Sequence, residues 1–388
     1  MPNLAKEMYI PRSIENEIKK NLFKGKIIII YGPRQVGKTT LVKKILEDIS
    51  DTSSLYLNCD EGDIQKLFRD AITSTQLKQI IGGKKLVVID EAQKIKDVGM
   101  KLKLFIDTFP GQQVIATGSS SFELASEVIE PLTGRNVQFI LYPISLHELA
   151  GIWSATGGLE IDRHLENLLI FGSYPAVVEA ASLEEKKSII KQISQDYLYK
   201  DILKFQNLKS SEIVGKLLEA VALQIGKEVS YTELGNLVGV SKQTIASYID
   251  ILEKGFVLFT LKPFSRNLRK ELGKLHKIYF WDLGVRNALI NNFNPLSLRG
   301  DTGELWEGFV IGERRKQQYS VNKMVNTYFW RTYDQQEIDL IEEKGGRLFA
   351  YEAKWKRPRI KPPKSWRDTY KNSTWASITP QNYLQFFR

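Results

Sequence analysis

A single cysteine, Cys59, stands in a chain of 388 residues, so an internal disulfide is excluded. Histidine is almost as scarce. His147, His164 and His276 lie far apart and, with one cysteine, give no spacing for a Cys/His zinc site. Long apolar runs are missing too: the most apolar stretch, KIIIIYG, is far too short to span a bilayer. The opening residues, MPNLAKEMYIPRSIENEIKK, set no apolar segment behind their early charges. Secretion and membrane insertion are therefore without a signal, and a reducing cytoplasm is the expected compartment. What the chain does have is a globular balance, 43% hydrophobic and 26% charged, over enough length for two or three cores. Full disorder and a single small module are both excluded.

Charge is distributed unevenly. The formal net charge is +10, and residues 266–388, with 23 basic and 13 acidic side chains, hold all of that excess. A localised basic surplus is the electrostatic footprint expected for a polyanion, most often nucleic acid.

Between Lys26 and about Leu141, short apolar runs (KIIIIYG, SLYLN, KLVVIDE, QQVIATGSS and VQFIL) alternate with helix-length amphipathic segments. That rhythm predicts a parallel sheet wrapped by helices, and four successive isoleucines predict a strand buried on both faces. From about Ser145 to Phe205 the pattern is helical, as expected of a lid or connector. Further on, Ser230 with Glu233 is a capping-box signature for a short helix through Leu234, Leu237 and Val238 that Gly239 ends. Ser241 caps a second helix, whose apolar positions Ile245, Tyr248, Ile249 and Leu252 keep helical spacing. The run FVLFTLK then reads as a strand. Helix, tight turn, helix and trailing hairpin resemble a winged helix-turn-helix with Lys242, Gln243, Thr244 and Ser247 facing solvent. A packing module that never meets DNA would show the same pattern. The basic, Pro-rich stretch KRPRIKPPK reads as a solvated loop.

The strongest motif is GPRQVGKT, which fits G-x-x-x-x-G-K-[ST] between a buried strand and a helix through Leu41, Val42, Ile45, Leu46 and Ile49. Gly32, Pro33, Arg34, Gln35, Val36, Gly37, Lys38, Thr39 and Thr40 are the expected nucleotide-binding residues. Backbone amides of the loop cradle phosphates, Lys38 neutralises the β and γ phosphates, and Thr39 ligates Mg²⁺. At the end of LVVIDE, Asp90 belongs to the magnesium shell and Glu91 is placed to orient or deprotonate water. Asp60 and Glu61 form a competing acidic pair, but Asn58 interrupts the run before them. Ser119, ending the next strand, is placed to touch the γ phosphate or the attacking water, or else to cap the following helix. Arg135 is a candidate arginine finger, with surface pairing as the other reading.

A second site is expected in the basic third. In FAYEAKW, Glu352 and Lys354 share one strand face. Gly345 and Gly346 read as a two-residue hairpin turn, whose register puts Asp339 of EIDLI directly across from Glu352. Two opposed carboxylates repel unless a divalent cation or a proton separates them. Asp339 and Glu352 are thus candidate metal ligands, Lys354 a cation for a phosphodiester and attacking water, and Glu307 a further carboxylate on the helix TGELWEGFVIGE. A solvent-facing strand of mixed charge has the same spacing.

The order of P-loop, acidic strand, TGSSS, GR and YPISLHEL resembles a prokaryotic group that joins an AAA-class P-loop ATPase to a winged helix and a C-terminal domain similar to PD-(D/E)XK nucleases. The resemblance covers nearly the whole chain. It implies ATP and Mg²⁺ as cofactors, a sensor role for Ser119, and a match of Glu307, Asp339, Glu352 and Lys354 to the helix Glu and the D…E-x-K set. Ile338 stands where the usual Pro would be. A homo-oligomer with nucleotide between protomers is also implied. The expected fold is α/β: a P-loop parallel-sheet core over residues 1–150, a helical lid or connector over 151–206, a winged helix-turn-helix over 207–265 and a restriction-endonuclease-like domain over 266–388.

Three functions compete. The first is an ATP-dependent DNA-processing enzyme with Mg²⁺-dependent phosphodiester cleavage. The second is a nucleotide-controlled switch that binds DNA or a partner protein and does not cut. A chaperone-like remodeller, the third, lacks an identifiable threading loop.

Overall fold

Four isoleucines in a row have no polar face to show water, and β1 (Ile27–Tyr31) is buried along its whole length. It is flanked by β4 (Gln113–Gly118) and β5 (Asn136–Ile140), with β2 (Ser54–Asn58) and β3 (Leu86–Asp90) beyond β4. The order is β2-β3-β4-β1-β5, every pairing parallel. Truncating a fully buried isoleucine here, such as Ile29→Ala, is expected to cost about 2–5 kcal/mol. Because the strands are parallel, the segments after β1, β3 and β4 meet along one edge of the sheet. The computed structural model describes residues 9–49, 53–71, 73–119, 131–153, 159–197, 211–264, 275–320, 325–359 and 361–387.

Helices Leu146–Trp153, Leu159–Phe171, Pro175–Glu179 and Leu183–Tyr197 follow the sheet. The rest of the expected connector, 198–206, lies outside the described residues. The helix Ser211–Leu223 comes next, and after it the helices Tyr231–Val238 and Lys242–Lys254, capped by Ser230 and Ser241 and joined through Gly239 at φ 79°. Leu237 was expected on the apolar face of Tyr231–Val238. It is 66% exposed instead, because Leu234 and Val238 already fill the inward stripe.

A second sheet contains β6 (Glu228–Val229), β7 (Leu258–Pro263), β8 (His276–Phe280), β9 (Asn326–Arg331), β10 (Glu337–Lys344), β11 (Arg347–Ala353) and β12 (Thr374–Ile378). Its order is β12-β11-β10-β9-β7-β8-β6. The boundary expected between residues 265 and 266 therefore does not divide two sheets. β7 has two backbone edges to satisfy; β8 takes one antiparallel and β9 the other parallel, with the Phe264 amide donating to the Phe329 carbonyl at 2.6 Å. Gly345 and Gly346 make the expected turn, both at positive φ, and pair Lys344 with Arg347 through to Leu340 with Tyr351. On the other side of β10 the pairing with β9 shifts between Ile338 and Ile341, a bulge beside Asp339. The helix Thr302–Ser320 packs on this sheet, its Trp306 indole donating to the Ile378 carbonyl at 3.0 Å. Among the described residues no helix is long and apolar enough to cross a membrane.

Candidate nucleotide site and acidic cluster

The loop after β1 turns tightly against Leu141. A Cβ on Gly32 would lie 2.1 Å from the Leu141 carbonyl oxygen, so only glycine fits. Gly37, at φ 93°, is the N-cap of the helix Lys38–Asp48, whose first amides face the loop. Arg34, Gln35 and Thr40 are exposed, whereas Pro33, Val36 and Lys38 are buried. Lys38 Nζ donates to the carbonyls of Gly32 at 2.9 Å and Pro33 at 2.8 Å.

Asp90 ends β3 across from this loop. Thr39 Oγ1 donates to its Oδ2 at 2.7 Å, Tyr56 Oη to the same oxygen at 2.5 Å, and the Thr117 hydroxyl to Oδ1. Burial, and then the bond to Asp90, push the Tyr56 hydroxyl above its ordinary pKa. β4 lies between β1 and β3, and this order explains how Thr117 and Ser119 reach the acidic strand. Glu91 stands in the left-handed region at φ 54°. Its amide donates to Thr117 Oγ1 at 3.1 Å, while Gln93 Nε2 donates both to Glu91 Oε2 at 2.5 Å and to Ser119 Oγ at 2.9 Å. Sequence reasoning missed Gln93. Thr39 and Asp90 fit the pair that a P-loop and a strand-end carboxylate offer to Mg²⁺, and the cavity above them, about 410 Å³, has room for a phosphate chain.

That cavity is walled partly by residues for which no motif exists: Tyr9, Ile10 and Arg12 on one side, Ile144, Pro175, Ala176 and Glu179 on the other. Arg12 is the most informative of them. Its guanidinium donates to the Val36 carbonyl at 2.7 Å and the Tyr142 carbonyl at 2.6 Å, and it pairs with Glu148 at 3.2 Å. Burial alone would raise the Glu148 pKa; the Arg12 charge and the amides of Ser145 and Ser13 outweigh it and hold the carboxyl below its ordinary value. Beyond this ion pair, the Leu146 amide donates to Glu313 Oε2 at 2.5 Å, and Lys316 joins Glu313 at 2.7 Å to Ser173 at 3.2 Å. The loop of the nucleotide site is thus linked by buried polar contacts to the helix Thr302–Ser320.

Two other expected residues lie elsewhere. Asp60 is an exposed residue beyond β2, paired with Lys94 at 3.3 Å. Arg135 precedes β5, at the opposite end of the sheet from the P-loop, and pairs with Asp107 at 2.7 Å. Five residues of strand, roughly 16 Å, separate it from the phosphates of its own chain, so a finger role within one chain is ruled out.

In the C-terminal sheet, Asp339, Glu352 and Lys354 come together. Asp339 and Glu352 are buried. The expected register holds as far as Leu340 with Tyr351; one step on, the Asp339 carboxylate accepts the Ala353 amide at 2.9 Å. Lys354 Nζ is 2.7 Å from Glu352 Oε1 and 3.9 Å from Asp339 Oδ2, and Arg359 is 3.5 Å from Glu352 Oε1. Glu352 Oε2 is buried with no hydrogen-bond partner among the described residues. Burial first, and Glu307 second, push the Asp339 carboxyl well above its ordinary range, against the pull of Lys277.

Glu307 does not complete a metal shell. It accepts from Lys277 Nζ at 2.9 Å and from Tyr279 Oη at 2.6 Å. Lys277 also pairs with Glu337 and lies 3.8 Å from Asp339 Oδ1. This lysine was not foreseen, since it stands in an apolar strand; alternation along β8, which puts 277 and 279 on one face, was the available signal. Among the described residues no group of three or more Asp, Glu, His or Cys is arranged to hold a metal ion. As folded, the cluster does not fit a divalent ion.

Comparison with known proteins supports an AAA-class domain in the region of the first sheet. Residues 24–150 match the family model described as an AAA domain, residues 162–296 a domain of unknown function (DUF8612) and residues 302–382 another (DUF4143). Curated relatives are uncharacterized proteins. One from Mycobacterium tuberculosis is 27% identical, covering 88% of this chain and 73% of its own; one from Haemophilus influenzae is 24% identical, covering 86% and 83%. Solved structures with a weaker likeness include the Aeropyrum pernix Orc1 protein in complex with DNA (14% identity, 75% of this chain and 95% of that one, TM-score 0.35). Cdc6p from Pyrobaculum aerophilum is 12% identical, over 74% and 97%, with a TM-score of 0.32.

Proposed function

We propose that this chain is an ATP-hydrolysing switch that engages nucleic acid. The observation that carries the proposal is the 2.7 Å contact between Thr39 and Asp90, formed where the P-loop, the acidic strand and β4 converge. With MgATP supplying the reactive phosphoanhydride and the charge-neutralising ion, Lys38 and the loop amides hold phosphates, Thr39 and Asp90 hold the metal, and Glu91 orients or deprotonates water. Gln93 and Ser119 fix the direction in which Glu91 points. Arg135 serves a nucleotide only across an interface, in a homo-oligomer that brings it to the site of an adjoining copy.

Changes at the P-loop have a route outward through Arg12, Glu148 and the Leu146–Glu313 contact. On the output side, the helices Tyr231–Val238 and Lys242–Lys254 with β7 and β8 form the winged helix of this reading, and exposed Lys242, Gln243 and Ser247 offer phosphate and base contacts. DNA is the favoured polyanion because the positive excess is concentrated in the same half of the chain. A protein partner at that surface would serve the same switch.

A cutting enzyme is the second reading. The convergence of Asp339, Glu352 and Lys354 in a PD-(D/E)XK-like arrangement favours it, and the ion pairs of Lys277 weigh against it.

The test is duplex and single-stranded DNA binding, followed by fluorescence anisotropy with ATP, ADP or no nucleotide, beside phosphate release. Affinity should differ between nucleotide states, and Glu91→Gln should lock the ATP-bound value. Equal affinity in all three states, or absence of ATP hydrolysis, removes the switch.

A further inference from the structure

The acidic cluster contains a cation of its own. Lys277 enters from β8, with only 1% of its side chain exposed, and its ammonium meets three carboxylates: Glu307 at 2.9 Å, Glu337 in close contact and Asp339 at 3.8 Å. The Phe329 ring, 5.7 Å away, covers another side. An ammonium has three donors, and buried lysines are tolerated only when such partners are supplied. Removing those partners to make a metal shell would leave the lysine uncompensated. Across the cluster, Lys354 and Arg359 approach Glu352 from the open side, both about two-fifths exposed. The carboxylates a divalent ion would need are therefore already shared among cations of the chain.

We propose that Lys277 is the resident cation of this cluster, standing where a divalent ion would have to bridge Glu307 and Asp339, so that the C-terminal unit is a metal-free module that holds its shape by ion pairing and does not cut. The proposal is independent of the ATPase reading, because none of its residues touches the nucleotide cavity. It makes a further statement about the lysine. With Lys277 replaced by an apolar side chain of similar length, Glu307, Asp339 and the unpartnered oxygen of Glu352 are left facing one another, which is a donor set of the hard-oxygen kind that Mn²⁺ and Mg²⁺ accept.

The experiment is Mn²⁺ binding to the full chain without nucleotide, read by the electron paramagnetic resonance of free Mn²⁺. Four proteins are compared: the unaltered chain, Asp339→Asn, Lys277→Met, and the two substitutions together. The unaltered chain and Asp339→Asn should bind Mn²⁺ equally. Lys277→Met should gain one site at least tenfold tighter, and the double variant should lose it. A stoichiometric site in the unaltered chain that vanishes with Asp339→Asn overturns the proposal, as does a folded Lys277→Met that gains no site. Should Lys277→Met fail to fold, the first two proteins decide alone, since equal binding supports the resident cation and a difference refutes it. Failure here leaves ATP hydrolysis untouched, and failure of hydrolysis leaves the Mn²⁺ comparison valid.

Discussion

Arg12 and Glu148 form a buried ion pair of 3.2 Å, and the same guanidinium holds the P-loop through the Val36 carbonyl and the end of β5 through Tyr142. One side chain therefore joins the nucleotide loop, the sheet and the helix Leu146–Trp153. Arg12→Met should leave Glu148 charged, buried and without its main partner, destabilising the fold by about 3–5 kcal/mol. Adding Glu148→Gln should recover part of that stability and little nucleotide affinity, because the two carbonyls stay unheld. Chemical denaturation and ATP titration separate the effects. Unchanged ATP affinity in Arg12→Met would show that the clamp has no part in the nucleotide site.

The assignments at the P-loop predict a division of labour. Lys38→Ala should abolish tight ATP binding, since the phosphates lose their main side-chain cation. Glu91→Gln should bind ATP normally and hydrolyse it roughly 10²–10⁴-fold more slowly, the usual contribution of a positioned general base. Nucleotide affinity by calorimetry and phosphate release by a coupled assay check both. Normal turnover by Glu91→Gln would move the base to another residue.

Gln93 is a positioning residue, touching Glu91 and Ser119 at once. Replacing it with alanine should free the Glu91 carboxylate and lower kcat roughly 10–100-fold, with KM and ATP affinity little changed, because the loss is one of orientation. A rise in KM with unchanged kcat would assign Gln93 to binding instead.

Local patterns made several features of the molecule legible, in both halves of the chain. The isoleucine run, the glycines of GPRQVGKT, the caps at Ser230 and Ser241, and the Gly345-Gly346 turn each depend on neighbours within a few residues, and all are found where expected. Arg12, Gln93 and Lys277 each have a decisive partner remote in sequence: a carbonyl 130 positions away for Arg12, the Ser119 hydroxyl 26 away for Gln93 and a carboxylate 30 away for Lys277; alternation gives the face of Lys277 and not its partner. Parallel pairing of β7 with β9 is equally remote from any local signal, so the expected boundary fell inside a continuous sheet. At the acidic cluster, alternation put Glu352 and Lys354 on one face correctly. It could not show that Glu307 and Asp339 share a lysine from a third strand.

His276 provides a test by pH. Its Nδ1 is buried without a partner among the described residues, and its ring stacks on Tyr231 with centroids 5.0 Å apart. Burial first, and then the charges of Lys262 and Lys242, hold its pKa below the ordinary 6.5. In the unfolded chain His276 takes up its proton at higher pH than in the folded one, so the unfolded state binds more protons and stability rises with pH. The contribution is full above about pH 6.5 and is lost as pH falls through the folded value. Thermal stability should thus hold above about pH 6.5 and decline as the pH falls below it. His276→Phe, which keeps a ring against Tyr231 and cannot be protonated, should flatten that decline without lowering Tm at the higher pH by more than a few degrees. Parallel curves for the two proteins would place the titrating group elsewhere. A flattened curve would identify β8 as a strand with a pH-sensitive residue on its Tyr231 side and, one position on, the lysine of the acidic cluster.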